Sequence, residues 1–334
     1  PDDAELSRFE YTYDRRGRRT AMQTHYGAWT YEYDDVGQLT RATLDSTDPE
    51  IANRDLRYEY DALGNRVGTT INGVEEAYEA NSLNQYSTVG DRTYVYDVDG
   101  NLIQEDGPDG STVYTYNDEN RLIGVARGGD TWAYTYDALG HRVAADENGA
   151  VTHYVIDPIG LGNVVGEYAT DGSLLARYIH GGALLNRWSA ADGASYYTFD
   201  PVGSVSELSG IGGDVQNSYA YQPFGEPLQH NGIVRNPFQF IGELGVMLEA
   251  TGLSHMRARF YSVESGRFTT LDPLGIIAGD VNLYRYAANS PVNSLDPTGL
   301  RKLKCEHILP GPETDELEAQ LALLKQGREQ THLE

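Results

Sequence analysis

Tyrosines and polar residues alternate along the first half of the chain in short bursts, and each burst ends in Asp, two variable residues and Gly. The phrase Tyr-x-Tyr-Asp-x-x-Gly runs from Tyr11 to Gly17, Tyr31 to Gly37, Tyr58 to Gly64, Tyr94 to Gly100 and Tyr134 to Gly140. A degraded copy spans Tyr114 to Asn120, and looser ones begin at Tyr154, Tyr197 and Tyr219. Side chains at i and i+2 share one face of a strand. Asp followed three places on by Gly suits a type I turn, in which the carboxylate accepts backbone N–H groups and Gly takes positive φ. Each phrase therefore predicts a β-hairpin. A lone hairpin is marginal in water, so the units must add edge to edge. The pattern predicts an all-β fold, with antiparallel hairpin repeats in one long sheet that twists and curls. Tyrosine buries a ring while its hydroxyl seeks a partner, which suits a wall facing a wet interior. An ordinary sandwich core with tyrosines between two sheets is the alternative.

Composition narrows the function classes. At 334 residues the length suggests about two domains. Glycine (37) and tyrosine (25) are abundant while phenylalanine (7) is scarce, in keeping with turns and β-structure. A formal charge of −25, with no Lys/Arg run, repels phosphate backbones and argues against nucleic acid as a partner. No apolar run approaches the ~18 residues of a spanning helix. Cys305 alone excludes an internal disulfide and a cysteine-built zinc site. The eight histidines show no metal-ligand spacing, and the Gly-Gly pairs lack a following Lys, so no metal or cofactor is expected. Ser204 and Ser206 lack a nucleophile-elbow pattern. All three lysines (Lys302, Lys304, Lys325) lie beyond Leu300, a compositional boundary. The chain starts without Met or a signal peptide and reads as a piece of something longer.

The repeat resembles the tyrosine-aspartate repeat of the Rhs family, which includes Rhs polymorphic toxins, the C components of Tc toxin complexes and the teneurins. The resemblance implies a spiral of hairpins forming part or all of a hollow shell, with residues 1–237 as the shell. Residues 238–300 depart from the repeat. Phe238 to Gly242, Met256 to Tyr261, Ser265 to Phe268, Asp272 to Gly275, Asn282 to Tyr286, Asn289 to Pro291 and Asp296 to Leu300 resemble, in order and spacing, the Rhs core-associated signature. In toxin members that segment plugs the shell and cuts its own chain after the leucine of a final Asp-Pro-x-Gly-Leu. Carried over, the cut falls between Leu300 and Arg301, with Asp272, Asp296 and Arg259 at the catalytic positions. Between Gly275 and Asp296 stand 20 residues, two more than in many toxin members.

The chemistry is that of a single-turnover aspartyl peptidase at most. Two close carboxylates cannot both ionise; one polarises the carbonyl while the other takes a proton from water. A guanidinium such as Arg259 orients a carboxylate or stabilises the oxyanion. Against this stands a plainer role. Asp-Pro-x-Gly also occurs at Asp157 and Asp200, where it marks a repeat turn, and Arg257, Arg267 and Arg285 are neighbours able to replace Arg259.

Residues 301–334 form a short variable tail with an expected helix from about Glu313 to Arg328, whose Leu317, Leu321 and Leu324 make one stripe. Cys305-x-His307 is a weak nucleophile pattern. The expected function is a structural shell that encapsulates its own C-terminal passenger, a toxin by resemblance. Secretion machinery or a target-cell surface would be further partners, and the location secreted or cell-surface. The alternative is a teneurin-like adhesion scaffold without cleavage. Sugar binding on the tyrosine face is a weaker third.

Overall fold

The repeat phrase folds as its alternation dictates. The computed structural model describes residues 7–305. Within them 22 strands, from Glu10–Tyr13 to Pro227–Gly232, form one sheet in which each strand pairs antiparallel with its neighbours in sequence. The turn after Tyr33 shows why. Asp34 Oδ1 accepts the N–H groups of Val36 (3.1 Å), Gly37 (2.8 Å) and Gln38 (2.8 Å), and the Gly37 N–H donates to the Asp34 carbonyl. Gly37 has φ of 95°, and the pairing slips by one residue between Glu32 and Tyr33. This is a type I turn closed by a glycine bulge. Where the phrase decays, Asn120 takes the left-handed position with φ of 58°, which asparagine tolerates. Other hairpins close on Asn72-Gly73 and Asn148-Gly149, with positive φ at both residues of each pair.

The first tyrosine of the phrase is buried at Tyr31, Tyr58, Tyr114 and Tyr134 and partly buried at Tyr11 and Tyr94, while Glu32 and Glu59 between the paired tyrosines are exposed. The second tyrosine sews repeats together. Tyr33, Tyr60 and Tyr136 donate their hydroxyls to the carbonyls of Arg19 (2.6 Å), Leu39 (2.9 Å) and Leu122 (2.8 Å), each just past the turn of an earlier repeat.

What faces the tyrosines is mostly chain. Residues beyond Val234 carry a small sheet of Met247–Leu248, Leu253–Met256, Arg259–Ser262 and Arg267–Phe268, three short 3-10 turns, and a pairing of Ser294–Leu295 with Leu303–Lys304. Phe240, Tyr261, Phe268 and Tyr286 pack with Trp29, Tyr31, Leu39 and Tyr58; Leu253 and Phe260 with Tyr114, Trp132 and Tyr134; Phe238 and Met247 with Tyr154 and Tyr178. Each large side chain so buried contributes about 1.5–3 kcal/mol. The wet interior expected behind the tyrosines is thus reduced to cavities, two of them of about 630 and 310 Å³. The strands make one ladder and not two facing sheets.

The ladder does not close. Among the described residues Glu10–Tyr13 pairs only with Arg19–Thr24, and Pro227–Gly232 only with Val215–Tyr221. The curl nevertheless brings the last strand near the connection that follows Leu39–Ser46, since Asn231 donates its side-chain amide to Glu50 Oε2 (3.1 Å). The expected tail helix, together with His307, lies outside the described residues.

Candidate functional site

Arg259 opens a strand of the small sheet, Asp272 follows Arg267–Phe268, and Asp296 follows Ser294–Leu295. The fold brings all three together in the interior, where their exposures are 3%, 8% and 3%. Arg259 Nη2 donates to Asp272 Oδ2 at 2.7 Å and to Asp296 Oδ2 at 3.4 Å. The same guanidinium donates from Nη1 to the Leu283 carbonyl (2.8 Å) and from Nε to the Gly299 carbonyl (2.5 Å), and lies over the Phe268 ring, 3.6 Å from its centroid.

Each carboxylate divides its oxygens between two tasks. Asp272 Oδ1 accepts the Leu274 N–H (2.9 Å), as Asp157 Oδ1 accepts the Ile159 N–H (3.0 Å). Asp296 Oδ1 accepts the Thr298 hydroxyl (3.2 Å) and the N–H groups of Leu300 (3.1 Å) and Arg301 (3.2 Å). Turn-closing Asp is therefore a correct description of both, and an incomplete one, because Oδ2 of each points to Arg259. The Arg301 nitrogen belongs to the Leu300–Arg301 peptide, so Asp296 touches that bond directly.

Burial raises the Asp272 carboxyl to about 6; the Arg259 guanidinium pulls the other way and the Asp296 charge adds to the rise. Burial also lowers the Arg259 guanidinium from its ordinary value, against the pull of the two aspartates. A cavity of about 30 Å³ is lined by Arg259, Asp272, Asp296, Leu300 and Arg301 among others, room for one water. On the other side the 310 Å³ cavity reaches Asp272 and Leu300.

The other arginines are committed elsewhere. Arg267 donates to the Asn84 carbonyl and to Asn65. Arg285 makes a two-pronged pair with Asp280 (2.7 and 2.9 Å). Arg257 donates to four neutral oxygens: the Leu161 carbonyl (2.6 Å), the Pro297 carbonyl (2.7 Å), Asn163 Oδ1 (2.9 Å) and the Leu244 carbonyl (2.6 Å). Asp280 escaped the sequence reading. Its charge acts on both Asp272 and Arg259, and the only signal for it was an Asp five residues before Arg285. Cys305 is buried, and burial pushes its thiol up to about 11, which removes it as a nucleophile at neutral pH. Among the described residues no His, Cys, Asp and Glu cluster is arranged to hold a metal ion.

A family model for the teneurin YD-shell matches residues 2–292. The tRNA3(Ser)-specific nuclease WapA of Bacillus spizizenii is 32% identical over 257 residues, which take in 73% of this chain and 11% of that protein. The tRNA(Glu)-specific nuclease WapA of Bacillus subtilis subsp. natto is 32% identical over 295 residues, 86% of this chain and 9% of that one. The toxin protein Tse5 of Pseudomonas aeruginosa is 48% identical over 52 residues, 16% of this chain and 4% of that protein. The crystal structure of TcdB2-TccC3 aligns with a TM-score of 0.47 at 18% identity, covering 87% of this chain and 20% of that one. The chain spans 11% of the length of the first two relatives matched, both WapA nucleases.

Proposed function

Since the chain belongs to the teneurin YD-shell family of YD-repeat proteins, we propose that it is part of the wall of a container. The container encloses a passenger continuing beyond Leu300 and frees it by one hydrolysis of its own Leu300–Arg301 bond. The observation that carries the cleavage is the meeting of Asp272, Asp296 and Arg259 beside the Arg301 nitrogen, at the distances given above. The container reading is supported by the relatives' names: tRNA nucleases match 73% of this chain and a double-stranded DNA deaminase toxin matches 31% of it, while their named activities differ. A stretch common to such different activities reads as housing, not as the activity. The toxin names also support delivery out of the producing cell, by secretion or display at its surface.

In the proposed reaction the ionised member of the pair takes a proton from water while the protonated member donates a hydrogen bond to the Leu300 carbonyl. The hydroxyl adds to the Leu300 carbon, the C–N bond breaks, and a proton passes to the Arg301 nitrogen. The products are a Leu300 carboxylate and a new amino terminus at Arg301. Burial supplies, at Asp272, the neutral acid that the step needs.

Intact mass of the purified chain tests this. Two fragments split after Leu300 are expected, and one uncut chain from Asp272→Asn or Asp296→Asn. An uncut wild type at pH 5 to 7 removes the peptidase and leaves a scaffold. That second reading, an adhesion or recognition module, is favoured by the teneurin description of the matching family.

A further inference from the structure

The stretch ahead of the Leu300–Arg301 bond is gripped in an ordered way. The carbonyls of Pro297, Thr298 and Gly299 accept in turn from Arg257 Nη1 (2.7 Å), the Ala258 N–H (3.1 Å) and Arg259 Nε (2.5 Å). Three successive residues of one strand connection thus hold three successive carbonyls of the segment to be cut. The approach is close enough to require glycine. A Cβ on Gly299, where φ is 65°, would stand 2.7 Å from the Met256 carbonyl oxygen and 3.0 Å from the Arg259 nitrogen.

Arg257 differs from the other two holders because it reaches outward as well. Its remaining bonds go to the Leu161 carbonyl and Asn163 in the connection between Ala150–Ile156 and Val164–Ala169, and to the Leu244 carbonyl at the 3-10 turn Gly242–Leu244. Its backbone sits at φ 53°, a conformation a non-glycine residue adopts at a cost and keeps only where its surroundings impose it. Gly245 leaves room for the reach, since a Cβ there would lie 2.7 Å from Asn163 Oδ1 and 2.8 Å from Arg257 Nη2. None of the four hydrogen bonds of Arg257 goes to a carboxylate, so the guanidinium is held for its fork of donors and not as half of an ion pair.

We propose that Arg257 is a positioning residue that fixes the register of the cut and makes it conditional on the repeat sheet being wound. It holds the Pro297 carbonyl in register only while the 157–163 connection of the sheet supplies two of its other three acceptors. A chain whose repeats have not yet curled onto residues 234–305 lacks Asn163 and Leu161 at that place, and its cleavage segment is unheld. This rests on the self-cleavage reading above and deepens it.

The test is a pulse-chase of the full chain made by cell-free translation, followed by gel and mass. Arg257→Met should slow the appearance of the two fragments about tenfold to a hundredfold, the scale of a misplaced reacting group. It should also yield cuts at neighbouring bonds, and millimolar guanidinium ion should restore part of the rate. Asn163→Leu, which touches none of the reacting groups and keeps the arginine, should slow the cut in the same direction, and Arg257→Lys should fall between. Wild-type rates with one cut position in both Arg257→Met and Asn163→Leu overturn the proposal while the peptidase stands. A slow but uniquely placed cut that guanidinium leaves unchanged also overturns it, in favour of a general packing role. An uncut wild type overturns both readings together.

Discussion

Asp272 and Asp296 each carry a turn on one oxygen and an arginine on the other, so substitutions can separate the two tasks. Asparagine retains an acceptor for the backbone N–H groups. Asp272→Asn and Asp296→Asn keep that acceptor but set an amide N–H group against the buried Arg259 guanidinium, so they should stay uncut at some cost in stability, and alanine at either place should add a loss of about 1–3 kcal/mol from unsatisfied donors. Calorimetry beside intact mass checks both halves. Because Asp272 is raised to about 6, its neutral form persists near that pH and disappears above it. Self-cleavage should be faster at pH 5.5 than at pH 8, and a rate rising through that interval speaks against the pair. The resemblance pointed to the two aspartates and to Arg259, while the residues by themselves left Arg257, Arg267 and Arg285 open as replacements. Strand alternation puts Arg257 and Arg259 on one face; the left-handed backbone at Arg257 turns it away to carbonyl partners, and Arg259 alone reaches both carboxylates.

Hairpin turns are the elements in which local sequence carries most of the structure, and their energetics can be read one turn at a time. At Gly37 φ is 95° and an added Cβ would meet nothing within 4 Å, so Gly37→Ala pays for backbone strain alone, about 1–2 kcal/mol. At Gly225, where φ is 99°, the Cβ would stand 2.7 Å from the Phe240 ring, and the same change should cost more because the covering segment must shift. Urea midpoints at constant slope order the two. Tyr33→Phe removes a hydroxyl that donates to the Arg19 carbonyl and accepts from Asn293 Nδ2 (2.9 Å), a loss of about 1 kcal/mol. The Asp and Gly positions of these turns were plain in the repeat phrase because every atom they need lies within five residues. The small sheet around Arg259 was not, since its strands are two to four residues long and show no alternation long enough to read.

Taken as a whole the molecule is a curled, open ladder with its concave face covered by its own later residues, and this places acids in dry surroundings. Burial raises Asp200 to about 6 and Glu226 and Glu243 to about 7, with the Asp200 charge adding to the rise at Glu243. The sign follows from proton counting. A carboxyl raised on folding holds its proton longer in the folded chain, so its contribution is fully present below the unfolded value near 4 and is lost as pH rises through 6 to 7. The melting temperature of the uncut Asp272→Asn chain should therefore fall between pH 5 and pH 8; a rise across that range counts against buried neutral acids at the seam. By itself the order of residues determined the hairpins, the turn chemistry and the burial of one tyrosine face, because these depend on neighbours a few places apart. Only the tertiary structure decided that the ladder stays open, what covers its inner face, and which arginine meets the aspartates. Those outcomes rest on contacts such as Asn289 donating to Gln38, 251 residues away, and side-chain alternation states which face is apolar without stating what will lie against it.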